Sequence, residues 1–233
     1  MSTPVLAQKL DSEQRKRASA AADGIAAAAL CTAPIDRAAC RDAVDRAYAS
    51  LALPPPAVHF FDSPLAAMAA MQGMAGLGRE VDVSFNDELN RATDAIVRLA
   101  GWPSLSRLVD TRLGPLVHYA HACDDALEAR VPPADHMRLL YWSGSACLWR
   151  FAQQYARVQA LVDLGELPAA PAGLQLGRTL LAGCGWVNAF DKTCLVSERP
   201  QALDQEGRPR DPDGLRSRVT WRDGLTSEHV HRG

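Results

Sequence analysis

Apolar residues recur at helical spacing over most of the chain before residue 184. Between residues 35 and 51 they are Ile35, Ala39, Val44, Ala47, Tyr48 and Leu51, and charged residues occupy the opposite face. The same period returns in residues 86–100, 113–130 and 134–164, each bounded by proline or glycine. An alanine-rich stretch precedes them, with Asp11 or Ser12 as its cap. The pattern predicts a helical body over residues 11–184.

The pattern changes after residue 185. Residues 192–197 read as a strand, and residues 217–221 alternate between apolar and polar in the manner of a half-buried strand. Turn signals stand at Gln205-Glu206-Gly207, Pro212-Asp213-Gly214 and Arg222-Asp223-Gly224. Residues 185–227 are therefore predicted to form a small β-meander, and residues from about Glu228 are expected to be dispensable.

The predicted fold class is α+β: a mostly helical body with a small C-terminal β-meander packed on it. Residues 1–10 are expected to be a flexible tail, and residues 11–233 a single domain. Residues 57–61 read as one further short strand, which we expect to join the strand at residues 194–197.

The amino-acid composition and net charge limit the kinds of binding partner that we expect. Hydrophobic residues make up 48% of the 233 and charged residues 22%, which is ordinary for a folded domain. The formal net charge is −2, which gives no electrostatic reason to expect nucleic acid or a membrane surface as partner. Lys9, Asp11 and Glu13 precede any apolar run, so the start does not resemble a secretory signal and a cytoplasmic location is expected.

Six cysteines are spread along the chain, and none belongs to a Cys-x-x-Cys pair. Because a chain of this length can bury its own core, it does not need disulfides for stability. We predict reduced thiols that are mostly buried as small apolar side chains.

One spacing is typical of metal ligands. His118, His121 and Asp125 stand at i, i+3 and i+7, which places them on one face of a helix. Two imidazoles and a carboxylate can hold a divalent metal and leave positions open for chemistry. The alternative interpretation is an ordinary polar helix face.

Glu198, Arg199 and Trp186 are candidate binding residues. Glu198 and Arg199 follow a predicted strand directly, and arginine suits bidentate recognition of a carboxylate or phosphate. The alternative is an ion pair that fixes the junction between the strand and the following turn.

The chain also resembles an uncharacterised bacterial domain family of unknown function, found alone and in some proteins described as leucine-rich repeat proteins. The similarity is carried by Leu53-Pro54-Pro55-Pro56 with Asp62-Ser63-Pro64-Leu65-Ala66, by Gly185-Trp186, by residues 194–200, and by the turns that follow; it is strongest over residues 185–224. Members of the family carry a Gly-Gln-His-Asp motif, and the nearest stretch in this chain is Tyr141-Trp142-Ser143-Gly144, which lacks it. The resemblance implies a fold context and no activity.

Two functions of different classes follow as hypotheses. The first is a non-catalytic binding or regulatory module that recognises a protein or peptide through its β-rich end, with no cofactor. The second is a metal-assisted enzyme that uses His118, His121 and Asp125. The sequence does not decide whether the protein is an enzyme.

Overall fold

The computed structural model describes residues 9–99, 101–128, 145–146, 148–167, 169–208, 211 and 213–232. The helices of this part of the chain are α1 (Ser12–Ala29), α2 (Arg37–Ser50), α3 (Pro64–Gly73), α4 (Asn86–Thr93), α5 (Trp102–Glu128), α6 (Leu148–Asp163) and α7 (Ala172–Gly183). Its strands are β1 (Ala57–Phe61), β2 (Ser145–Ala146), β3 (Trp186–Ala189), β4 (Thr193–Ser197), β5 (Ala202–Glu206), β6 (Leu215–Thr220) and β7 (Thr226–His231). The predicted α+β class is confirmed.

The helical body is built around α1, α5 and α6, which pack against one another. Helix α1 begins after Asp11, one of the two predicted caps, whose side chain accepts from the backbone N–H of Gln14, while the Gln14 side chain accepts from the Asp11 N–H. Its inward face carries Ala18, Ala22 and Ile25, all of which are almost fully buried. Small side chains on this face allow the neighbouring helices to approach closely.

The first sheet joins distant parts of the chain. Its strand order is β1-β4-β3-β2, and β1 runs parallel to β4 with Val58 opposite Cys194 and Phe60 opposite Val196. This confirms the predicted pairing of the two segments. Gly185 makes the β3–β4 hairpin possible, because a Cβ at this position would lie 2.2 Å from the carbonyl oxygen of Glu198.

The second sheet is an antiparallel meander of β5, β6 and β7, which we call the meander. It packs on α5, and it buries Val219 and Trp221. Gly207 and Gly214, with φ of +80° and +75°, form the connection between β5 and β6. The sequence predicted one β-rich unit over residues 185–227. The structure instead divides that stretch, because β3 and β4 belong to the first sheet.

Several boundaries differ from the prediction: α4 ends at Thr93 rather than at residue 100, and α5 begins at Trp102 rather than at residue 113. Strand β7 continues to His231, so the residues from Glu228 that were expected to be dispensable belong to the meander. Helix α2 begins after an Asp36 cap rather than at Pro34, because the Asp36 carboxylate accepts from two backbone N–H groups. Within the stretch predicted as one helix over residues 134–164, residues 145–146 pair with β3 and α6 begins at Leu148, while residues 134–144 lie outside the described residues.

The length and apolar character of the described helices decide whether any of them can cross a membrane. None of them combines the length and the apolar character that crossing a bilayer requires.

Trp221 should be a major contributor to stability. Its side chain is 2% exposed where the meander meets the helical body, so Trp221→Ala should lower the free energy of unfolding by about 3–5 kcal/mol. Thermal and denaturant unfolding of the full chain measure this, with Asp213→Ala in an exposed turn as the control. Equal effects of the two substitutions would show that burial of Trp221 does not stabilise the fold.

Candidate functional site

The sequence-predicted metal ligands lie on α5 where this helix meets the meander. His118 is partly buried, whereas His121 and Asp125 are exposed. The packing of α5 against β6 and β7 places this polar face at the edge of the contact between helix and sheet. The three residues therefore lie on one face of α5, as predicted. Part of that face lies against the meander, and the rest is exposed to solvent.

Strand β7 adds two further histidines to this face. The rings of His118 and His231 have centroids 4.8 Å apart, and those of His121 and His229 have centroids 5.3 Å apart. Residues 229 and 231 share one side of the strand because side chains alternate along it. Four imidazoles thus form two facing pairs, which we call the histidine cluster: His118, His121, His229 and His231.

Asp125 orients one ring of the histidine cluster. Its Oδ2 lies 2.7 Å from Nδ1 of His229. Because an ionised carboxylate only accepts hydrogen bonds, Nδ1 must carry the proton and donate it. In the neutral ring this leaves the Nε2 lone pair of His229 as the nitrogen able to bind a metal or accept a proton.

His118 has a buried ring nitrogen. Its Nδ1 has no hydrogen-bond partner among the described residues. Burial lowers the pKa of this imidazole, and the neighbouring His231, His121 and His229 lower that pKa further. His118 is consequently held in its neutral form at neutral pH, which is the form that binds metals.

The histidine cluster is not a finished coordination sphere. Among the described residues, no group of three histidine, cysteine, aspartate or glutamate side chains is already placed to hold a metal ion. The rings of the two pairs are tilted by 44° and 36°, so a shared ion would require rotation of the imidazoles about their side-chain bonds. His121 is the exposed member of the histidine cluster.

The other predicted site residues lie in the interior or beside it. Trp186 is 6% exposed within β3, and Glu198 is 5% exposed directly after β4. Oxygens of the Glu198 carboxylate lie 3.4 Å from Arg37 and 3.8 Å from Arg222, and Oε2 accepts from the Ile35 N–H at 3.1 Å. These contacts explain Glu198 as a structural anchor, and recognition of a ligand by it stays a prediction.

Arg199 and Arg222 complete this anchor. The Arg199 guanidinium donates to the Cys31 sulfur at 2.9 Å, and Arg222 donates to the Thr32 carbonyl at 2.8 Å. Both arginines therefore hold the segment between α1 and α2. We call Glu198, the partly buried Arg199 and Arg222, and the exposed Arg37 the buried anchor, after its buried carboxylate.

Comparisons with known proteins add no family. No family model, no curated protein and no solved structure matches the chain. The resemblance to an uncharacterised bacterial domain family therefore stays a prediction, and the stretch at residues 141–144 that departs from its motif lies outside the described residues.

Sequence reasoning missed half of the histidine cluster. His229 and His231 were overlooked because the residues from Glu228 were expected to be a dispensable end. The available signal was the i, i+2 spacing of the two histidines after a predicted turn, which places both on one side of a strand. That spacing does not reveal which helix the strand meets.

The lowered pKa of His118 should make stability depend on pH. As the pH falls through the unfolded-state value of about 6.5, the unfolded chain takes up this proton before the folded chain does. The stability due to this group is therefore complete above that value and declines below it, until the folded-state pKa is reached. We expect the loss in melting temperature between about pH 7.5 and pH 5 to be smaller in His118→Gln than in the wild type.

His59 supplies the control for this pH experiment. It is an exposed histidine on β1, which belongs to the first sheet and not to the meander. His59→Gln should show the same pH-dependent loss as the wild type. If His118→Gln also follows the wild type, His118 does not contribute to the pH dependence.

The buried anchor should tolerate substitution poorly. Glu198→Ala leaves Arg222 without its ion-pair partner and the Ile35 N–H without its acceptor, so the free energy of unfolding should fall by about 1–3 kcal/mol. Chemical denaturation measures the effect. Glu206→Ala, an exposed glutamate on β5, should change it by less than about 0.5 kcal/mol. A neutral result at Glu198 would favour its role in binding over its role as an anchor.

Proposed function

We propose that the protein binds a divalent transition metal ion through the histidine cluster, and that the ion fastens the meander to α5. The observation that carries the proposal is the meeting of His118 and His121 with His229 and His231, which come from elements far apart in sequence. Such a function is non-catalytic and regulatory, because the ion controls how firmly two parts of the fold are joined.

The donor atoms decide the class of ion. Imidazole nitrogens suit zinc, copper, nickel and iron, whereas magnesium and calcium prefer oxygen ligands. Asp125, named from the sequence as a ligand, fits better as the residue that orients His229, because its carboxylate already accepts from Nδ1 of that ring. The proposed ligands are therefore histidines, with Asp125 supporting one of them.

The electrostatics of the cluster support uptake of a cation. Metal and protons compete for the same imidazole lone pairs, and the lowered pKa of His118 reduces proton competition at that ring. The exposed His121 provides an entry from solvent. Metal-assisted catalysis is a second proposed function of the same residues. Turnover of a substrate that depends on the bound ion would establish it.

Recognition of a protein or peptide is a separate proposal that rests on β5. This strand has one described neighbour in the meander, β6, and its last three residues are exposed. An exposed edge of this kind can accept a strand from a partner. A pull-down from a native lysate with the full chain tests it, and the absence of a stoichiometric partner would count against it.

Metal binding can be tested on the full chain purified without a histidine tag and stripped with a chelator. Titration with zinc or nickel, followed by calorimetry, should give about one ion per chain. Zinc at 100 times its Kd should stabilise the fold by about 2.7 kcal/mol. The double variant His229→Gln/His231→Gln should abolish both effects. Asp125→Ala should weaken binding by about 10–100-fold without changing the number of ions bound.

His59→Gln is the control, because it removes an exposed imidazole outside the cluster. It should bind as the wild type does. Binding that is equally weakened by His59→Gln, or that survives the double variant unchanged, would contradict the proposal.

A further inference from the structure

Two cysteine thiols, those of Cys40 and Cys184, lie unusually close together in the core. Cys40 lies in the first turn of α2 and Cys184 directly follows α7, and both are buried. Their sulfur atoms are 2.7 Å apart. This is closer than two non-bonded sulfur atoms approach in ordinary van der Waals contact, yet longer than the roughly 2.05 Å of a disulfide bond.

The backbone around the two cysteines is also close. A Cβ built on Gly183 would lie 3.9 Å from the Cα of Cys40. Helices α2 and α7 pack against each other, so the two segments are held together by the fold and not by the side chains alone. Proximity of both backbone and sulfur is what a disulfide requires, because its geometry tolerates little displacement of the Cα atoms.

The surroundings would protect a bond between these cysteines. Cys194 on β4 is fully buried nearby, where Tyr48 donates its hydroxyl proton to the Phe190 carbonyl at 2.6 Å. The hydrogen bond with Cys40, burial, and the nearby Cys40 and Cys194 thiols raise the pKa of the Cys184 thiol. A thiol in this environment reacts slowly, and a disulfide formed there is shielded from dissolved reductants.

We propose that Cys40 and Cys184 form a disulfide bond when the chain meets a small-molecule disulfide such as glutathione disulfide. The two thiols lose two protons and two electrons as the sulfur–sulfur bond forms. The bond of the glutathione disulfide breaks, and the two electrons and two protons leave in two glutathione thiols. The new bond clamps the start of α2 to the junction between α7 and β3.

The bond closes a large loop. It links residues 144 positions apart, so the loop contains β1, α3 and α5. Cross-links that close long loops restrict the unfolded chain strongly. The oxidised protein should therefore melt roughly 5–15 °C above the reduced protein.

The test begins with the folded full chain, incubated for hours with excess glutathione disulfide or with a reductant. Free thiols are then alkylated under denaturing conditions, and intact mass and peptide mapping count them. The oxidised sample should carry two fewer alkyl groups than the reduced one, and a cross-linked peptide should contain Cys40 and Cys184. An unchanged thiol count, or a cross-link between other cysteines, would overturn the proposal.

Variants separate the bond from general effects of oxidation. Comparing each variant with itself, oxidised against reduced, removes any effect of the substitution on folding. Cys184→Ala and Cys40→Ala should each lose the rise in melting temperature, so either one suffices if the other does not fold. Cys31→Ser, at a partly buried thiol beside Arg199, should retain the rise. Loss of the rise in Cys31→Ser, or its persistence in Cys184→Ala, would exclude the Cys40–Cys184 bond.

Discussion

One buried carboxylate determines how the parts of this fold meet. Burial of the Glu198 carboxylate removes its hydration, and charged and hydrogen-bonding groups must offset that loss. Those partners come from two other regions of the chain: the segment that leads into α2, through Ile35 and Arg37, and the turn after β6, through Arg222. The Glu198 N–H also donates to the Phe61 carbonyl at 2.7 Å. A single residue thus sets the relative positions of the first sheet, α2 and the meander.

The histidine cluster depends on that arrangement. The meander reaches α5 through β7, and the turn that precedes β7 is held by Arg222. The outer side of the meander is secured separately, because Glu228 on β7 forms ion pairs with Arg216 and Arg218 on β6. Because the outer face of the meander is polar and the turn before β7 is held in place, His229 and His231 on β7 face α5. The candidate site is therefore a product of the way two units dock, and not of a local motif.

Local signals in the sequence identified most elements and half of the site. A cap at Asp11 or Ser12 and the pairing of residues 57–61 with the strand near residues 194–197 follow from capping preference and strand composition, whereas the parallel direction of that pairing is seen only in the structure. The missing half is non-local. Nothing in the spacing of His229 and His231 specifies that β7 lies on α5, and nothing around Cys40 indicates that Cys184 lies beside it, because both meetings are created by tertiary packing.

The parallel pairing of β1 with β4 also has a consequence for how the chain is made. Synthesis proceeds from the N-terminus, so Val58 and Phe60 leave the ribosome long before their partners Cys194 and Val196 exist. Until then β1 offers an unpaired backbone edge and an apolar side to its surroundings, which is the situation that favours association between nascent chains. A contact between such distant segments also forms slowly, since its loop must close before the pairing is gained. The period between the synthesis of β1 and that of β4 is thus one in which an apolar strand exists without its native partner.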